Sequence, residues 1–133
     1  MQEINVNIQA EIRDRLEGYD IDSVLQGYEV KNVLIDSIVI FLRNRPIEEK
    51  RLTGLAVMYY LLHESIAFHE LVGEDDPDSG LYVIYGDYLG TLYHKAVIDF
   101  NEYEISEEIV SRYKQICVDI FENGHAVSGI MRD

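Results

Sequence analysis

The sequence is poor in the features that mark secreted, membrane or nucleic-acid-binding proteins. Its single cysteine, Cys117, cannot form an internal disulfide, and its apolar helical setting predicts a buried thiol. Only 11 basic residues accompany 25 acidic ones, and the net charge of −14 repels nucleic acid and anionic membranes. No apolar run reaches the ~18 residues of a membrane span, and the N-terminal stretch is too polar for a signal peptide. These absences predict a soluble, cytoplasmic protein with neither nucleic acid nor membrane as a partner.

Strand-type alternation is also scarce, whereas helical periodicity is nearly continuous. A length of 133 residues predicts one domain, residues 1–133. The predicted fold is all-α, an antiparallel bundle of about six helices joined by short connections. The helical stretches are predicted from residue 4 to near Gly18, over about 22–43 with a break near Gly27, over about 47–72 with Pro46 in the first turn, over about 79–100, and after Ser106 as the N-cap of a last helix.

The segment LLHESIAFHE, residues 61–70, places two His–Glu pairs on one predicted helix. Such residues could hold a metal ion, but a zinc-protease motif needs two histidines four positions apart on one helix face. His63 and His69 are six apart, which puts them about 120° apart around the helix axis. We therefore predict no metal site here. An autonomous helical enzyme or metalloprotein that uses His63, Glu64, His69 and Glu70 stays open as an alternative.

The segment YVIYGDYLGTLY, residues 82–93, is apolar nearly all round. A surface helix would have one polar face, so this helix should be enclosed on most sides. Gly86 and Gly90 share a face, and each costs about 1 kcal/mol in a helix interior relative to alanine. The pair therefore predicts the close approach of another helix. A central core helix and a helix at a subunit interface both fit this pattern.

The order of these features resembles the trans-prenyl diphosphate synthases. In their catalytic chains a helix carries HDDxxD, a loop with paired arginines follows, and the next helix typically contains GDYL. Here His63 stands at the motif's histidine, and residues 86–89 read GDYL. The resemblance covers roughly residues 53–129 and implies a truncated isoprenoid-synthase-like helical bundle.

The departures from that family concern its chemistry. The family needs three Mg²⁺-binding aspartates, and the matching positions here are Glu64, Ser65 and Phe68. The paired arginines are also missing, since Lys95 is the only lysine or arginine between Arg51 and Arg112. A diphosphate that ionises to an allylic cation needs cations around it. We therefore expect no catalytic residue and no metal ligand in this chain, and we interpret the motif as a former active site.

A short chain of this kind is similar to the small, non-catalytic subunit of the two-component hexaprenyl and heptaprenyl diphosphate synthases. That resemblance implies a large catalytic prenyl diphosphate synthase subunit as partner, in a heterodimer or a dimer of heterodimers. The small subunit is required for activity and helps to set product length, and the product becomes the side chain of menaquinone. Mg²⁺ is expected in the catalytic partner and no cofactor in this chain. A helical adaptor unrelated to isoprenoids is the second alternative.

The resemblance also implies positions for two further sets of residues. In the family the GDYL helix packs at the dimer interface. The corresponding interface residues here are Tyr82, Tyr85, Gly86, Tyr88, Leu89, Gly90 and Tyr93. The residues four and five before the first aspartate point down the cleft that holds the growing product, and here they are Tyr60 and Tyr59.

Overall fold

The computed structural model describes residues 2–17, 28–73, 75–112, 115 and 118. This part of the chain is all-helical and contains no strand, which confirms the all-α part of the predicted fold. Its helices are α1 (Gln2–Glu17), α2 (Asn32–Arg43), α3 (Glu49–Glu70), α4 (Ser79–Phe100) and α5 (Tyr103–Ser111). Five helices are therefore found in the described residues, against about six predicted for the whole chain. Residues 22–27 and Cys117, for which helical structure was also predicted, lie outside the described part.

Helices α3 and α4 form an antiparallel hairpin. The ends of the pair meet, because the Arg51 guanidinium near the start of α3 lies 2.6 and 2.8 Å from the Glu102 carboxylate just beyond α4. At the other end, the Ser65 hydroxyl of α3 donates a hydrogen bond of 2.7 Å to the carbonyl oxygen of Gly86 in α4. The short connection between the helices is what favours this antiparallel arrangement.

Helix α1 packs across this hairpin and against α2. Ile8, Ile12 and Leu16 are buried with exposures of 0, 0 and 5%, as their spacing of four residues predicts for one helix face. Arg15 forms an ion pair of 3.0 Å with Asp99 of α4, and Asn5 donates a hydrogen bond to Asp36 of α2. These contacts place the core between α1, α2 and α3, with α4 closing one side.

The prediction that residues 28–31 are helical is wrong. Helix α2 begins only at Asn32, and its N-cap residue Lys31 has extended backbone angles. The backbone N–H of Lys31 donates to the Tyr60 hydroxyl at 2.9 Å, and the Tyr28 hydroxyl lies 2.5 Å from the same oxygen. Hydrogen bonds to a distant helix therefore replace those that a longer α2 would form.

Two other predicted helix starts are also wrong. Helix α3 begins at Glu49, after an extended Glu48, so Pro46 precedes the helix and does not lie in its first turn. Helix α5 begins at Tyr103, so Ser106 lies within the helix and is not its N-cap. The Ser106 hydroxyl instead lies 2.6 Å from the Tyr93 hydroxyl of α4, a contact that joins the two helices.

The bounds of α4 match the prediction of residues 79–100. Asn101 follows the helix with a positive φ of 55°, in the left-handed region that asparagine tolerates at helix C-termini. The chain therefore reverses within two residues and enters α5. None of the helices in the described residues is long and apolar enough to cross a membrane.

Candidate functional site

A buried carboxylate with several partners lies in the middle of the predicted motif. The Glu64 side chain is 0% exposed, and its Oε1 lies 2.8 Å from the Lys31 ammonium. The Tyr28 hydroxyl donates to the same oxygen at 2.7 Å, and His63 Nδ1 lies 3.2 Å from Oε2. We call Tyr28, Lys31, Tyr60, His63 and Glu64 the Glu64 cluster. A buried carboxylate is stable only with such partners, because burial without them would disfavour its charge.

The cluster is also a directed chain of hydrogen bonds. Tyr60 and Glu64 are four residues apart, so α3 presents both on one face. Each tyrosine hydroxyl has one hydrogen, and Tyr28 gives its hydrogen to Glu64. The Tyr60 hydroxyl therefore donates to Tyr28 across 2.5 Å and accepts the Lys31 backbone N–H at 2.9 Å. This chain fixes the extended segment 28–31 against α3.

The pKa values follow from these contacts. Burial alone would raise the pKa of Glu64, but hydrogen bonds to His63, Lys31 and Tyr28 and the charge of Lys31 outweigh it and lower the pKa to about 2. Burial raises the pKa of Tyr60 to about 12, and burial together with the neighbouring Tyr60 and Glu64 raises that of Tyr28. At neutral pH the cluster thus contains an ionised carboxylate and two neutral hydroxyl donors.

The other two positions that the resemblance matches to aspartates make packing contacts. Ser65 is 5% exposed, and its hydroxyl donates to the Gly86 carbonyl at 2.7 Å. Phe68 packs between two tyrosine rings, with centroid distances of 6.2 Å to Tyr28 and 5.4 Å to Tyr85. Glu64 therefore forms an ion pair, Ser65 a helix–helix hydrogen bond and Phe68 an aromatic contact.

The two histidines of the motif have different partners. His63 contacts Glu64 within α3, whereas His69 Nε2 lies 2.9 Å from Asp87 Oδ1 on α4. Glu70 is exposed at the end of α3. Within the residues that the structure describes, no three His, Cys, Asp or Glu side chains are placed to hold a metal ion.

The close helix approach predicted from the two glycines is present, and the neighbour is α3 of the same chain. A Cβ built on Gly86 would lie 2.5 Å from the His69 ring and 2.9 Å from the Ser65 carbonyl oxygen. A Cβ on Gly90 would lie 3.1 Å from the Ser65 hydroxyl. Both glycines therefore serve the α3–α4 contact.

The predicted interface residues divide into two groups. Gly86, Leu89 and Tyr93 are buried inside the chain. They could support an interface only indirectly, by packing beneath the residues that contact a partner. The half-buried members are Tyr82, Tyr85, Tyr88 and Gly90. The apolar side chains that α4 exposes most are instead Leu81, Val83, Ile84 and Ile98. The all-round apolar pattern of the sequence is thus divided between the core and an uncovered face.

The two tyrosines predicted for a product cleft lie in closed surroundings. Tyr60 is 0% exposed and belongs to the Glu64 cluster. The half-buried Tyr59 packs edge-on against Phe41 at a centroid distance of 5.6 Å, and burial raises its pKa to about 12. An open pocket of about 360 Å³ lies beside the cluster, and neither tyrosine lines it. Its walls are Lys31, Asn32, Val33, Leu34, His63 and Glu64.

Sequence reasoning identified His63 and Glu64 but missed Tyr28 and Lys31. The spacing of Tyr60 and Glu64 is a local signal for a shared helix face. Their partners come from about 30 residues earlier, and nothing in the periodicity connects the two segments.

Comparison of this chain with protein-family models, curated proteins and solved structures finds no match.

Proposed function

We propose that this chain is a non-catalytic subunit of a two-component trans-prenyl diphosphate synthase. On this proposal it binds a large catalytic subunit, is required for that subunit's activity and contributes to product chain length. The product would be a medium- or long-chain prenyl diphosphate for the side chain of menaquinone. Mg²⁺ would be bound by the catalytic partner, in a cytoplasmic complex.

The observation that carries this proposal is that Glu64, Ser65 and Phe68, the three positions matched to the family's aspartates, all make contacts within this chain. Glu64 is the one carboxylate among them, and the Lys31 ammonium at 2.8 Å already balances its charge. Ser65 is bonded to the neighbouring helix, and Phe68 is enclosed by aromatic rings. The chemistry of the family needs carboxylates that can share divalent cations. A chain with this arrangement fits a supporting role better than a catalytic one.

The pairing of α3 with α4 gives further support. The resemblance rests on a histidine-bearing helix followed by a GDYL helix, and these two helices are direct antiparallel neighbours. His69 and Asp87, each within or beside one of the two motifs, are in contact at 2.9 Å. The placement of Tyr60 in a closed hydrogen-bonded cluster also fits indirect control of product length, through packing against the partner.

The test is an assay with farnesyl diphosphate, isopentenyl diphosphate and Mg²⁺. The purified chain should give no product, and a DDxxD-type synthase that co-purifies with it from the source cell should be active only when both chains are present. Turnover by this chain alone would contradict the non-catalytic assignment. A source-cell pull-down that recovers no prenyl synthase would contradict the partner assignment.

A further inference from the structure

Exposed apolar side chains lie at the end of the α3–α4 hairpin where the two helices are connected. Leu71 and Val72 after α3 are 55 and 42% exposed, and Leu81 and Ile84 in the first turns of α4 are 47 and 54% exposed. The Ser79 hydroxyl is hydrogen-bonded to the backbone of Gly73, so both segments lie at the same end of the hairpin. Large exposed apolar side chains gathered at one place mark interaction sites in monomeric proteins.

The apolar pair on α4 is bracketed by carboxylates. Asp78, Leu81, Ile84 and Asp87 follow one another at intervals of three residues, and each step turns about 60° around the helix axis. Leu81 and Ile84 therefore share one face, and the two aspartates lie on opposite flanks of that face. We call these four residues the 78–87 ridge. Both aspartates are exposed, and Asp87 contacts His69. At 1.5 Å and 100° per residue, the two carboxylate-bearing positions are about 13 Å apart along the axis and about 180° apart around it.

The surroundings of the ridge are negative as well. Between Arg51 and Lys95 the chain contains no lysine or arginine, whereas Asp75 and Asp76 lie in the loop just before α4. The electrostatic effect of the loop reaches the helix, because the charge of Asp76 raises the pKa of Tyr82, with contributions from burial and Asp78. The surface therefore attracts cations and repels anions.

We infer that the 78–87 ridge docks a basic amphipathic helix of a partner protein. Two apolar side chains of that helix would cover Leu81 and Ile84, and lysine or arginine residues on either side of them would pair with Asp78 and Asp87. In the proposed function the partner is the catalytic subunit, and only that identity rests on the proposal.

Electrostatic repulsion argues against two other occupants of this surface, a second copy of this chain and an anionic membrane. A second copy of this chain carries the same net charge of −14, and two ridges face to face would bring carboxylates together. An anionic membrane is repelled for the same reason. A cationic helix gains the apolar contact without that repulsion and also associates faster.

The probe is a synthetic helical peptide made of leucine and lysine in an amphipathic pattern, with a leucine–glutamate peptide of the same pattern for comparison. Binding to the full chain is measured by fluorescence anisotropy at two salt concentrations, and the contact is located by NMR chemical-shift changes. The lysine peptide should bind, the glutamate peptide should not, and the shifts should centre on residues 78–87. Higher salt should weaken binding because it screens the charges.

Matched variants distinguish binding at the ridge from nonspecific hydrophobic binding elsewhere on the helix. Leu81→Ala with Ile84→Ala should weaken binding about tenfold or more, since two large apolar contacts are lost. Val83→Ala with Ile98→Ala removes similar exposed apolar area from α4 off the ridge, and it should leave binding unchanged.

A second pair of variants tests the charges. Asp78→Asn with Asp87→Asn should weaken binding and reduce its salt dependence. Glu104→Gln with Glu107→Gln removes the same charge from exposed positions of α5 and should have little effect. Equal effects of the ridge and control variants, or shifts centred elsewhere, would overturn the inference. Self-association through the ridge in sedimentation experiments would also overturn it. No step of this test needs a synthase, so its failure is distinct from failure of the proposed function.

Discussion

Removing the charge of Lys31 should destabilise the protein more than removing the charge of Glu64. The two side chains form one ion pair of 2.8 Å, but Lys31 is 55% exposed and Glu64 is 0% exposed. Glu64→Gln leaves an ammonium that can return to water. Lys31→Met leaves a buried carboxylate whose remaining partners among the described residues are the Tyr28 hydroxyl and His63. The cost of breaking a buried pair comes mainly from the charge that stays buried.

The magnitudes follow from the contacts that Glu64 keeps in each variant. Against the effect of burial, its pKa is lowered from 4.5 to about 2 by hydrogen bonds from His63, Lys31 and Tyr28 and by the charge of Lys31, so Lys31 supplies only part of that effect. Breaking a buried ion pair by removing one partner typically costs about 3–5 kcal/mol. We expect Lys31→Met to lose about 2–3 kcal/mol, because the carboxylate loses its ion pair but keeps the contacts with His63 and Tyr28. Glu64→Gln should lose about 1 kcal/mol, since the amide oxygen can still accept the Tyr28 hydroxyl.

The assay is urea denaturation at pH 7, followed by circular dichroism. The double variant Lys31→Met with Glu64→Gln should be more stable than Lys31→Met alone, because it contains no unpaired buried charge. Lys50→Met is the matched control: Lys50 lies 3.4 Å from Glu48, but both are well exposed, at 81 and 64%. Its cost should be near zero, as for most surface pairs. Equal costs for Lys31→Met and Glu64→Gln, or no rescue in the double variant, would refute this reasoning.

The same pair gives a pH dependence with a definite sign. A carboxyl group whose pKa is lowered by folding contributes stability above its unfolded pKa and loses it as the pH falls towards the folded pKa. The stability of the wild type relative to Glu64→Gln should therefore be constant above about pH 5 and should fall between about pH 4.5 and pH 2. A wild type that gains stability relative to Glu64→Gln on acidification in this range would contradict the assigned role of Glu64.

Three further outcomes test the hairpin and the motif. Gly86→Ala should lose about 1–3 kcal/mol through overlap with His69 and the Ser65 carbonyl, whereas Gly80→Ala, with nothing within 4 Å of its Cβ, should gain up to about 1 kcal/mol in thermal melts. Ser65→Asp should destabilise the chain more than Ser65→Ala, because it buries a carboxylate near the Gly86 carbonyl, and prenyl transfer by Ser65→Asp alone would contradict the structural role given to Ser65. On the proposed function, Tyr59→Ala in a reconstituted complex should change product length modestly or not at all, and a shift of several isoprene units by chromatography, with fold and association intact, would show that this chain measures the product.

The parts of the fold that local signals determine could be predicted from the sequence. The stripe of Ile8, Ile12 and Leu16 gave α1, and the bounds of α4 were right at both ends. Acidic, glycine and proline residues precede α4, and Asn101 ends it in a left-handed conformation. Each of these signals lies within a few residues of the structure that it determines.

The segment 28–31 could not be predicted, because its conformation depends on a distant helix. Its sequence continues the helical periodicity of α2, but Lys31 and Tyr28 bond to Tyr60 and Glu64 of α3. The candidate site shares this limit. The sequence pointed to Glu64 as a degenerate metal ligand, while the lysine that balances its charge lies 33 residues earlier. Tertiary contacts of this kind override local propensity.

If the proposed function is right, the contacts at the three motif positions also explain why single substitutions would not restore a metal site. A metal site at the motif would need carboxylates that reach solvent and divalent ions at three positions of α3. Here Glu64 and Ser65 are 0 and 5% exposed, and Phe68 is enclosed by two tyrosine rings. An aspartate at Ser65 would remove the hydrogen bond to α4, and one at Phe68 would open the contact with Tyr28 that helps to hold segment 28–31. Because each position now stabilises a helix–helix or segment–helix contact, single substitutions towards the aspartate motif would weaken the fold before they completed a metal site.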